Sequence, residues 1–155
     1  MRLEKLLEEV KVLAAEAGTF IAEQRLNFDT TKVESKHSHD YVSYVDKESE
    51  SRIVARLKEI MPEAGFITEE NTVEQETESA EYYWIVDPLD GTTNFIHDLA
   101  PYCVSIALRN TQEILLGVVY EVTRKEMYSA AKGLGAYLNG RKLQVSGISN
   151  LDEAL

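Results

Sequence analysis

Two aspartates near the middle of the chain have a spacing that could hold a metal ion. Asp87 follows the apolar residues 83–86, which predict a strand running directly into it, and Asp90 comes three residues later. Pro88 lies between them, restricts the backbone and lacks an N–H donor, so it favours a turn. Such a turn would let both carboxylates converge beyond the strand, and hard oxygen ligands of this kind suit magnesium.

The residues that follow Asp90 suit a phosphate group. Gly91 would let the backbone approach a ligand closely, and Thr92, Thr93 and Asn94 are typical of the first turn of a short helix. A helix N-terminus presents unpaired N–H groups and a potential that favours phosphate. These residues therefore predict a combined magnesium and phosphate site, although Asp-Pro followed by Asp-Gly is also common in ordinary surface turns.

Helical spacing of apolar residues predicts two helices ahead of this motif. The first begins near Leu3 and ends near Arg25 or Leu26, with leucine, valine, isoleucine and alanine recurring on one face. The second begins at Asp46, which stands in a good N-cap position, and Pro62 lies beyond its end.

The rest of the chain is rich in β-forming residues separated by turns. Short extended pieces are expected around Val33 and at residues 41–45, and an acidic loop covers residues 69–81. Asn139-Gly140 is a strong signal for a type I′ hairpin. Strands are predicted at residues 65–68, 83–86, 104–109, 114–121, 126–130, 135–138 and 142–145. The pattern favours an α+β fold in which two helices pack on one antiparallel sheet.

Length and composition are typical of one globular domain. The chain has 155 residues, of which 44% are hydrophobic and 28% charged. The formal net charge of −11 argues against nucleic acid as a partner, because nucleic-acid binding needs clustered lysine and arginine. No apolar run approaches the roughly 20 residues that span a bilayer, and the acidic start is unlike a signal peptide. We therefore expect a cytoplasmic protein with no membrane partner.

The single cysteine, Cys103, excludes an intramolecular disulfide and a thiolate metal cluster. It lies in the apolar run 102–108, so we expect a small buried side chain rather than a nucleophile. Trp84 and Phe95 are likewise expected to lie in the core.

The motif and its flanking segments form a pattern that covers nearly the whole chain. Residues 83–97 read Tyr-Trp-Ile-Val-Asp-Pro-Leu-Asp-Gly-Thr-Thr-Asn-Phe-Ile-His, with Phe-Ile-Thr-Glu-Glu at 66–70 and Val-Ser-Tyr-Val-Asp at 42–46, and Gly-Leu-Gly-Ala-Tyr-Leu-Asn-Gly at 133–140. In this order they resemble the inositol monophosphatase family of magnesium-dependent, lithium-sensitive phosphatases, which normally carries Thr where Ser43 stands. The resemblance implies the N-terminal half of that family's layered αβαβα fold.

The resemblance implies a set of metal ligands. Glu69, Asp87 and the backbone carbonyl of Leu89 would hold a first magnesium ion, and Asp87 and Asp90 would hold a second. Glu69 would also contact a more loosely held third ion, which makes it a catalytic residue in a complete enzyme with two to three Mg²⁺ ions.

The same resemblance implies roles in catalysis and phosphate binding. Thr92 would position the attacking water, with Asp46 orienting the Thr92 hydroxyl. The N–H groups of Gly91, Thr92 and Thr93 would bind the phosphate. Lys36 is a further candidate for contact with the phosphate or with the loosely held metal.

The resemblance also implies that residues 1–155 are the amino-terminal metal- and phosphate-binding domain, with the family's carboxy-terminal α/β domain absent. That domain would supply a further aspartate and most contacts to the substrate ring, so we expect little or no turnover from this chain alone. The complete enzyme is expected to be a homodimer that hydrolyses a small phosphate monoester, inositol monophosphate first. Enzymes acting on fructose 1,6-bisphosphate or 3′-phosphoadenosine 5′-phosphate are alternatives, as is a non-catalytic interaction domain.

Overall fold

The apolar stripes of the sequence form two long helices, and a short helix follows the aspartate motif. The computed structural model describes residues 2–28, 33–37, 40–72 and 80–153, with the backbone alone at 33–37, 40–42 and 151. Its α-helices are α1 (Leu3–Leu26), α2 (Tyr44–Ile60) and α3 (Thr92–Ile96). The bounds of α1 agree with the prediction. No helix among the described residues is both long and apolar enough to cross a membrane.

Most of the predicted strands are present, and seven of them form one sheet. Within the described residues the strands are β1 (Val33–His37), β2 (Asp40–Ser43), β3 (Gly65–Thr68), β4 (Tyr82–Asp90), β5 (Cys103–Asn110), β6 (Ile114–Glu121), β7 (Glu126–Ala131), β8 (Gly135–Leu138) and β9 (Arg141–Lys142). β1 pairs with β2, and β3 to β9 lie side by side in chain order. Every neighbouring pair in the large sheet is antiparallel except β3 and β4, which are parallel. The α+β prediction is confirmed, with one parallel pair that the sequence pattern did not indicate.

The core lies between one face of this sheet and the two long helices. α1 packs on β5, β6 and β7, and α2 packs on β4. Side chains along β4 and β5 alternate between buried and partly exposed positions, as expected for a sheet with one covered face. Trp84 and Phe95 are both fully buried, so their predicted core positions are confirmed. Burying each large apolar side chain contributes about 1.5–3 kcal/mol.

The N-cap of the second helix lies three residues earlier than predicted. Ser43, not Asp46, is the N-cap residue of α2: its Oγ accepts a hydrogen bond from the Val45 amide at 3.1 Å. Asp46 is the third residue of the helix, and its Oδ2 accepts a hydrogen bond from the Ser43 amide at 2.9 Å. This reciprocal pair is a capping box, in which both side chains satisfy otherwise unpaired amides. Tyr44 and Val45 are consequently helical rather than extended.

The strand before the aspartate motif extends further than predicted. β4 continues through Asp90 instead of ending at Val86. Asp87 lies opposite Ser105 and Asp90 opposite Cys103, so β4 carries one extra residue between these pairs. Such a bulge is a position at which proline is tolerated within a sheet, because the ladder is already interrupted there. Pro88 therefore redirects the strand without ending it.

The predicted hairpin near the end of the sheet is confirmed, although its second strand is short. Asn139 and Gly140 have positive φ angles of 48° and 79°, as a type I′ turn requires. Leu138 pairs with Arg141 across the turn. β9 ends at Lys142, so the strand predicted for residues 142–145 is largely absent.

The capping box predicts the effect of replacing Ser43. Ser43→Ala removes the acceptor for the Val45 amide and a donor to the buried Asp46 carboxylate, so we expect the free energy of unfolding to fall by about 1–2 kcal/mol. Ser43→Thr keeps the hydroxyl and should stay within about 0.5 kcal/mol of the original chain. Urea unfolding followed by circular dichroism measures both values. Equal stability of Ser43→Ala and the original chain would contradict this assignment.

Candidate active site

Parallel pairing of β3 with β4 brings two separate acidic segments together. Thr68 lies beside Val86 in the parallel register, so Glu69 and Asp87 leave the paired region at the same end of the sheet. The Glu69 amide donates a hydrogen bond to the Val86 carbonyl at 3.3 Å, which extends the ladder by one residue. The backbone therefore places the first two predicted metal ligands next to each other.

The carboxyl groups of Glu69 and Asp87 interact directly. Burial is the largest cause that raises the pKa of Asp87, followed by its hydrogen bond with Glu69 and the negative charges of Glu69 and Asp90. The Leu89 amide donates to Asp87 Oδ1 at 3.2 Å and acts in the opposite direction. Together these effects raise the pKa of Asp87 to about 8. A divalent cation would be favoured at this point, because it would neutralise like charges that repel one another.

The third predicted carboxylate ligand, Asp90, lies at the end of β4 and is exposed. Its Oδ2 is 3.6 Å from the Cys103 sulfur on the neighbouring strand. Burial, together with the nearby charge of Asp90, raises the pKa of the Cys103 thiol to about 12, so the thiol stays protonated at neutral pH. Cys103 is only partly buried, so the expectation of a small buried side chain was wrong. It lies at an alternating position of β5 that faces away from the buried side of the strand.

A buried hydrogen-bond network joins the start of α2 to the start of α3. The Thr92 hydroxyl lies 2.8 Å from Asp46 Oδ1 and 3.0 Å from the Leu89 carbonyl oxygen. The Ser43 hydroxyl donates to Asp46 Oδ2 at 2.5 Å. Asp46 is only 1% exposed, and this burial raises its pKa, while its hydrogen bonds with Ser43 and Thr92 act in the opposite direction. The network holds the Thr92 hydroxyl in one orientation beside a Leu89 carbonyl that is itself a predicted ligand.

Gly91 allows a close approach by another part of the chain's own backbone, and its expected approach to a ligand stays a prediction. It is the residue before α3 and has a φ angle of 92°, which side-chain-bearing residues rarely adopt. A Cβ atom there would lie 3.1 Å from the Pro101 carbonyl oxygen and 3.3 Å from Tyr102 Cα. The close approach is thus made by the chain's own backbone, which packs α3 against the segment leading into β5. The amides of the first turn of α3 have no partner within that helix.

The donor set of this region fits magnesium. Among the described residues no group of three or more His, Cys, Asp or Glu side chains could hold a metal ion by itself. Magnesium does not need such a group, since it is usually bound through one or two carboxylates, with water and substrate phosphate completing its octahedron. The interacting carboxyl groups of Glu69 and Asp87 provide that pair, and both are hard oxygen donors. The residues therefore suit Mg²⁺ better than a metal that prefers sulfur or nitrogen.

Two features predicted from the sequence lie partly outside the described residues. The backbone of Lys36 lies in β1, but its side chain is outside the described residues, so its predicted contact with phosphate stays a prediction. The acidic loop predicted at 69–81 includes residues 73–79, which are also outside the described part. The side chain of Thr93 is exposed, so its predicted role depends on its amide alone.

Sequence reasoning missed two buried polar residues of α2. Ser49 and Glu50 are both 0% exposed. The Ser49 hydroxyl makes a long hydrogen bond, 3.4 Å, to the Pro88 carbonyl, and the Glu50 carboxylate accepts hydrogen bonds from the segment after Glu69. A signal for Glu50 was present in the sequence: it occupies the helical stripe of Ile53, Val54 and Leu57, where an apolar residue is expected.

Comparisons with known proteins found relatives in both sequence and structure. Residues 2–155 match the inositol monophosphatase family. Nus factor SuhB of Pseudomonas aeruginosa is 41% identical over 143 residues, which are 92% of this chain and 53% of that protein. A protein of Aquifex aeolicus named fructose-1,6-bisphosphatase/inositol-1-monophosphatase is 37% identical over 152 residues, 98% of this chain and 57% of that protein. The crystal structure of the extragenic suppressor protein suhB from Bartonella henselae has a TM-score of 0.85 and 34% identity, and the match covers 93% of this chain and 55% of that one.

The match has consequences for three of the sequence-based expectations. The chain spans about half the length of the relatives it matches. The exclusion of nucleic acid, which rested on net charge alone, gains no support from a relative named as a Nus factor. The resemblance seen in the motifs is confirmed over nearly all of the sequence, and this chain belongs to the inositol monophosphatase family.

Proposed function

We propose that this chain carries the magnesium- and phosphate-binding part of a phosphatase that hydrolyses phosphate monoesters, with inositol monophosphate as the first candidate substrate. The observation that carries the proposal is the interacting carboxyl pair of Glu69 and Asp87. Asp87 is close along the chain to Thr92, whose hydroxyl is hydrogen-bonded to Asp46. An acidic pair alone would be a charged surface, and a buried Asp–Thr pair alone would be a helix contact. Their combination suits hydrolysis by an activated water.

Each predicted ligand has a distinct part in this proposal. Glu69, Asp87 and the Leu89 carbonyl would hold one Mg²⁺, with a second held by Asp87 and Asp90. When bound, Mg²⁺ lowers the pKa of water and neutralises charge on the phosphate and the leaving oxygen. The protein's own contribution is to keep the carboxylates in place against their mutual repulsion, through the β3–β4 ladder and the Leu89 amide.

Thr92 and Asp46 are suited to handling the proton of the attacking water. The Thr92 hydroxyl donates its hydrogen to Asp46 Oδ1, so a lone pair on Thr92 Oγ1 can accept a hydrogen bond from water. A proton received at Thr92 Oγ1 can be matched by transfer of the hydroxyl proton to Asp46 Oδ1. Burial raises the pKa of Asp46, which makes its carboxylate a better base than an exposed aspartate.

Phosphate binding would fall to the amides of Gly91, Thr92 and Thr93. They stand at the start of α3, where the first-turn N–H groups have no acceptor in the helix. The left-handed backbone at Gly91 and its contact with Pro101 fix the direction in which α3 begins. A phosphate held there would lie beside the metal-binding carboxylates, so cation and anion would stabilise each other.

The substrate and the assembly are finer parts of the proposal. The Aquifex relative is named for both fructose-1,6-bisphosphatase and inositol-1-monophosphatase activity, which keeps fructose 1,6-bisphosphate as an alternative. 3′-Phosphoadenosine 5′-phosphate is a third substrate to test, and a homodimer is proposed for the complete protein. Phosphate release from all three compounds under identical magnesium concentrations distinguishes the substrates.

A second candidate function is an interaction role that keeps the fold. The observation that favours it is the 41% identity with a protein named as a Nus factor. The two functions are compatible, because the groups at the proposed catalytic site occupy only one end of the sheet. Absence of magnesium binding at millimolar concentration would favour the interaction role alone, since an interaction module that had lost its chemistry would have no need of a metal site.

Replacing Asp87 should make the metal-free protein more stable at alkaline pH. In metal-free protein the pKa of Asp87 is raised from 3.8 to about 8, so the folded state retains a proton that the unfolded state releases between these pH values. Stability should therefore fall as pH rises through this window. Asp87→Asn removes the titrating group and should raise Tm at pH 8.5 by roughly 2–4 °C, the shift that about 1 kcal/mol produces at this size.

Magnesium should stabilise the original chain but not Asp87→Asn. Thermal unfolding with 10-fold steps of Mg²⁺ should raise the Tm of the original chain and leave that of Asp87→Asn unchanged, because a ligand stabilises only the state that binds it. Asp152→Asn, which changes the same charge at an exposed residue, should behave like the original chain. An Asp87→Asn protein that responds to Mg²⁺ as the original chain does would remove Asp87 from the metal site.

Turnover, however slow in this chain, should depend on the Thr92 hydroxyl. Thr92→Val has nearly the same shape but cannot pass a proton to Asp46, so we expect release of phosphate from inositol monophosphate to fall about 100-fold. Thr19→Val, an exposed change on α1, is the matched control. A malachite-green assay with Mg²⁺ measures all three proteins. Equal rates for Thr92→Val and Thr19→Val would exclude Thr92 from the reaction.

A further inference from the structure

Glu50 is a fully buried acid that is not among the groups of the proposed catalytic site. It lies on α2 one helical turn after Asp46 and is 0% exposed. A buried carboxylate is costly unless several hydrogen bonds offset the loss of water. Its presence on an otherwise apolar stripe therefore calls for a structural reason.

The reason lies in the three residues that follow Glu69. Glu50 Oε2 accepts a hydrogen bond from the Glu70 amide at 2.7 Å, and Oε1 accepts two more, from the Thr72 amide at 2.8 Å and the Thr72 hydroxyl at 2.7 Å. No basic side chain within the described residues pairs with Glu50. Both carboxylate oxygens are thus used to hold one short stretch of backbone, which would otherwise leave two amides unpaired.

This contact sets the position of Glu69 from its C-terminal side. On its N-terminal side, Glu69 is held by the hydrogen bond that its own amide donates to the Val86 carbonyl in the sheet. β3 ends at Thr68, and within the described residues 70–72 Glu50 supplies the first anchor after the strand. These two anchors hold the backbone on both sides of Glu69 and so fix where its carboxyl group lies relative to Asp87.

The same helix also holds the other half of the site. Asp46 bonds to Thr92, Ser49 to the Pro88 carbonyl, and Glu50 to the segment after Glu69. These residues lie at positions i, i+3 and i+4, which share one face of a helix. α2 therefore sets the separation between the metal-binding carboxyl groups and the water-handling hydroxyl.

We propose that Glu50 is a positioning residue that fixes Glu69 for metal binding, acting through the amides of Glu70 and Thr72. The inference rests on the proposed magnesium-dependent function. Glu50 itself touches neither metal nor substrate, so its replacement should weaken magnesium binding without removing a ligand.

The test compares two Glu→Gln variants of α2. Glu50→Gln keeps the side-chain volume but replaces one acceptor oxygen with an NH₂ donor that faces another donor, so the 70–72 segment loses part of its anchor. Glu48→Gln makes the same chemical change at an exposed residue that pairs only with Arg52. Calorimetric titration with MgCl₂ should give a Kd about 10-fold higher for Glu50→Gln, the size of effect seen when groups that orient a metal ligand are changed, and a Kd within twofold of the original for Glu48→Gln.

The outcomes distinguish this inference from the function on which it rests. Equal magnesium affinity of Glu50→Gln and the original chain would overturn the positioning role and leave the proposed function intact, even if Tm fell. Failure of the original chain to bind Mg²⁺ at millimolar concentration would overturn both. Faster deuterium exchange at the Glu70 and Thr72 amides in Glu50→Gln is the accompanying expected result, and unchanged exchange would also count against the role.

A second variant keeps the test decisive if Glu50→Gln does not fold. Thr72→Val removes one of the three hydrogen bonds at an exposed residue and leaves the buried carboxylate in place. We expect it to raise the Kd for magnesium about threefold, with Thr19→Val unchanged. An unchanged Kd for Thr72→Val would overturn the proposal in that case.

Discussion

The structure depends on holding carboxylates of like charge at one end of a sheet. Glu69 and Asp87 interact directly, and Asp90 adds a third charge nearby, which together with burial raises the pKa of Asp87 to about 8. In the absence of a cation this arrangement costs stability. Backbone pairing nevertheless holds the carboxyl groups close together. The parallel ladder of β3 and β4 and the bulge after Asp87 provide this pairing.

Helix α2 transmits this constraint to the rest of the site. Its buried face is apolar from Ile53 onward but carries three polar residues over its first two turns. Asp46, Ser49 and Glu50 form hydrogen bonds with α3, with β4 and with the segment after β3, respectively. Buried polar groups specify a structure strongly when every one of them is satisfied, because any shift leaves a group unpaired. The helix is thus both a core element and the support of the candidate site.

The family match and the geometry of the candidate site support different conclusions. Membership of the inositol monophosphatase family follows from a match over residues 2–155, while the chain spans about half the length of its relatives. The relatives carry names of two kinds, phosphatases and Nus factors. Folding gives no reason to bring the carboxyl groups of Glu69 and Asp87 together, which is why the phosphatase function is proposed ahead of an interaction role.

The sequence by itself determined the elements, the motif and the family. Amphipathic spacing, the apolar run before Asp87 and the Asn139-Gly140 turn act over a few residues, so helices, most strands and the hairpin could be read directly. Tertiary structure decided which distant segments of the chain come into contact. The parallel pairing that joins Glu69 to Asp87, the position of Cys103 beside Asp90 and the anchoring by Glu50 all depend on contacts between distant segments. The sequence predicted Asp46 as the N-cap of α2, but the N-cap is Ser43. A capping box contains two polar residues, and only the three-dimensional path of the backbone shows which of them precedes the first helical residue.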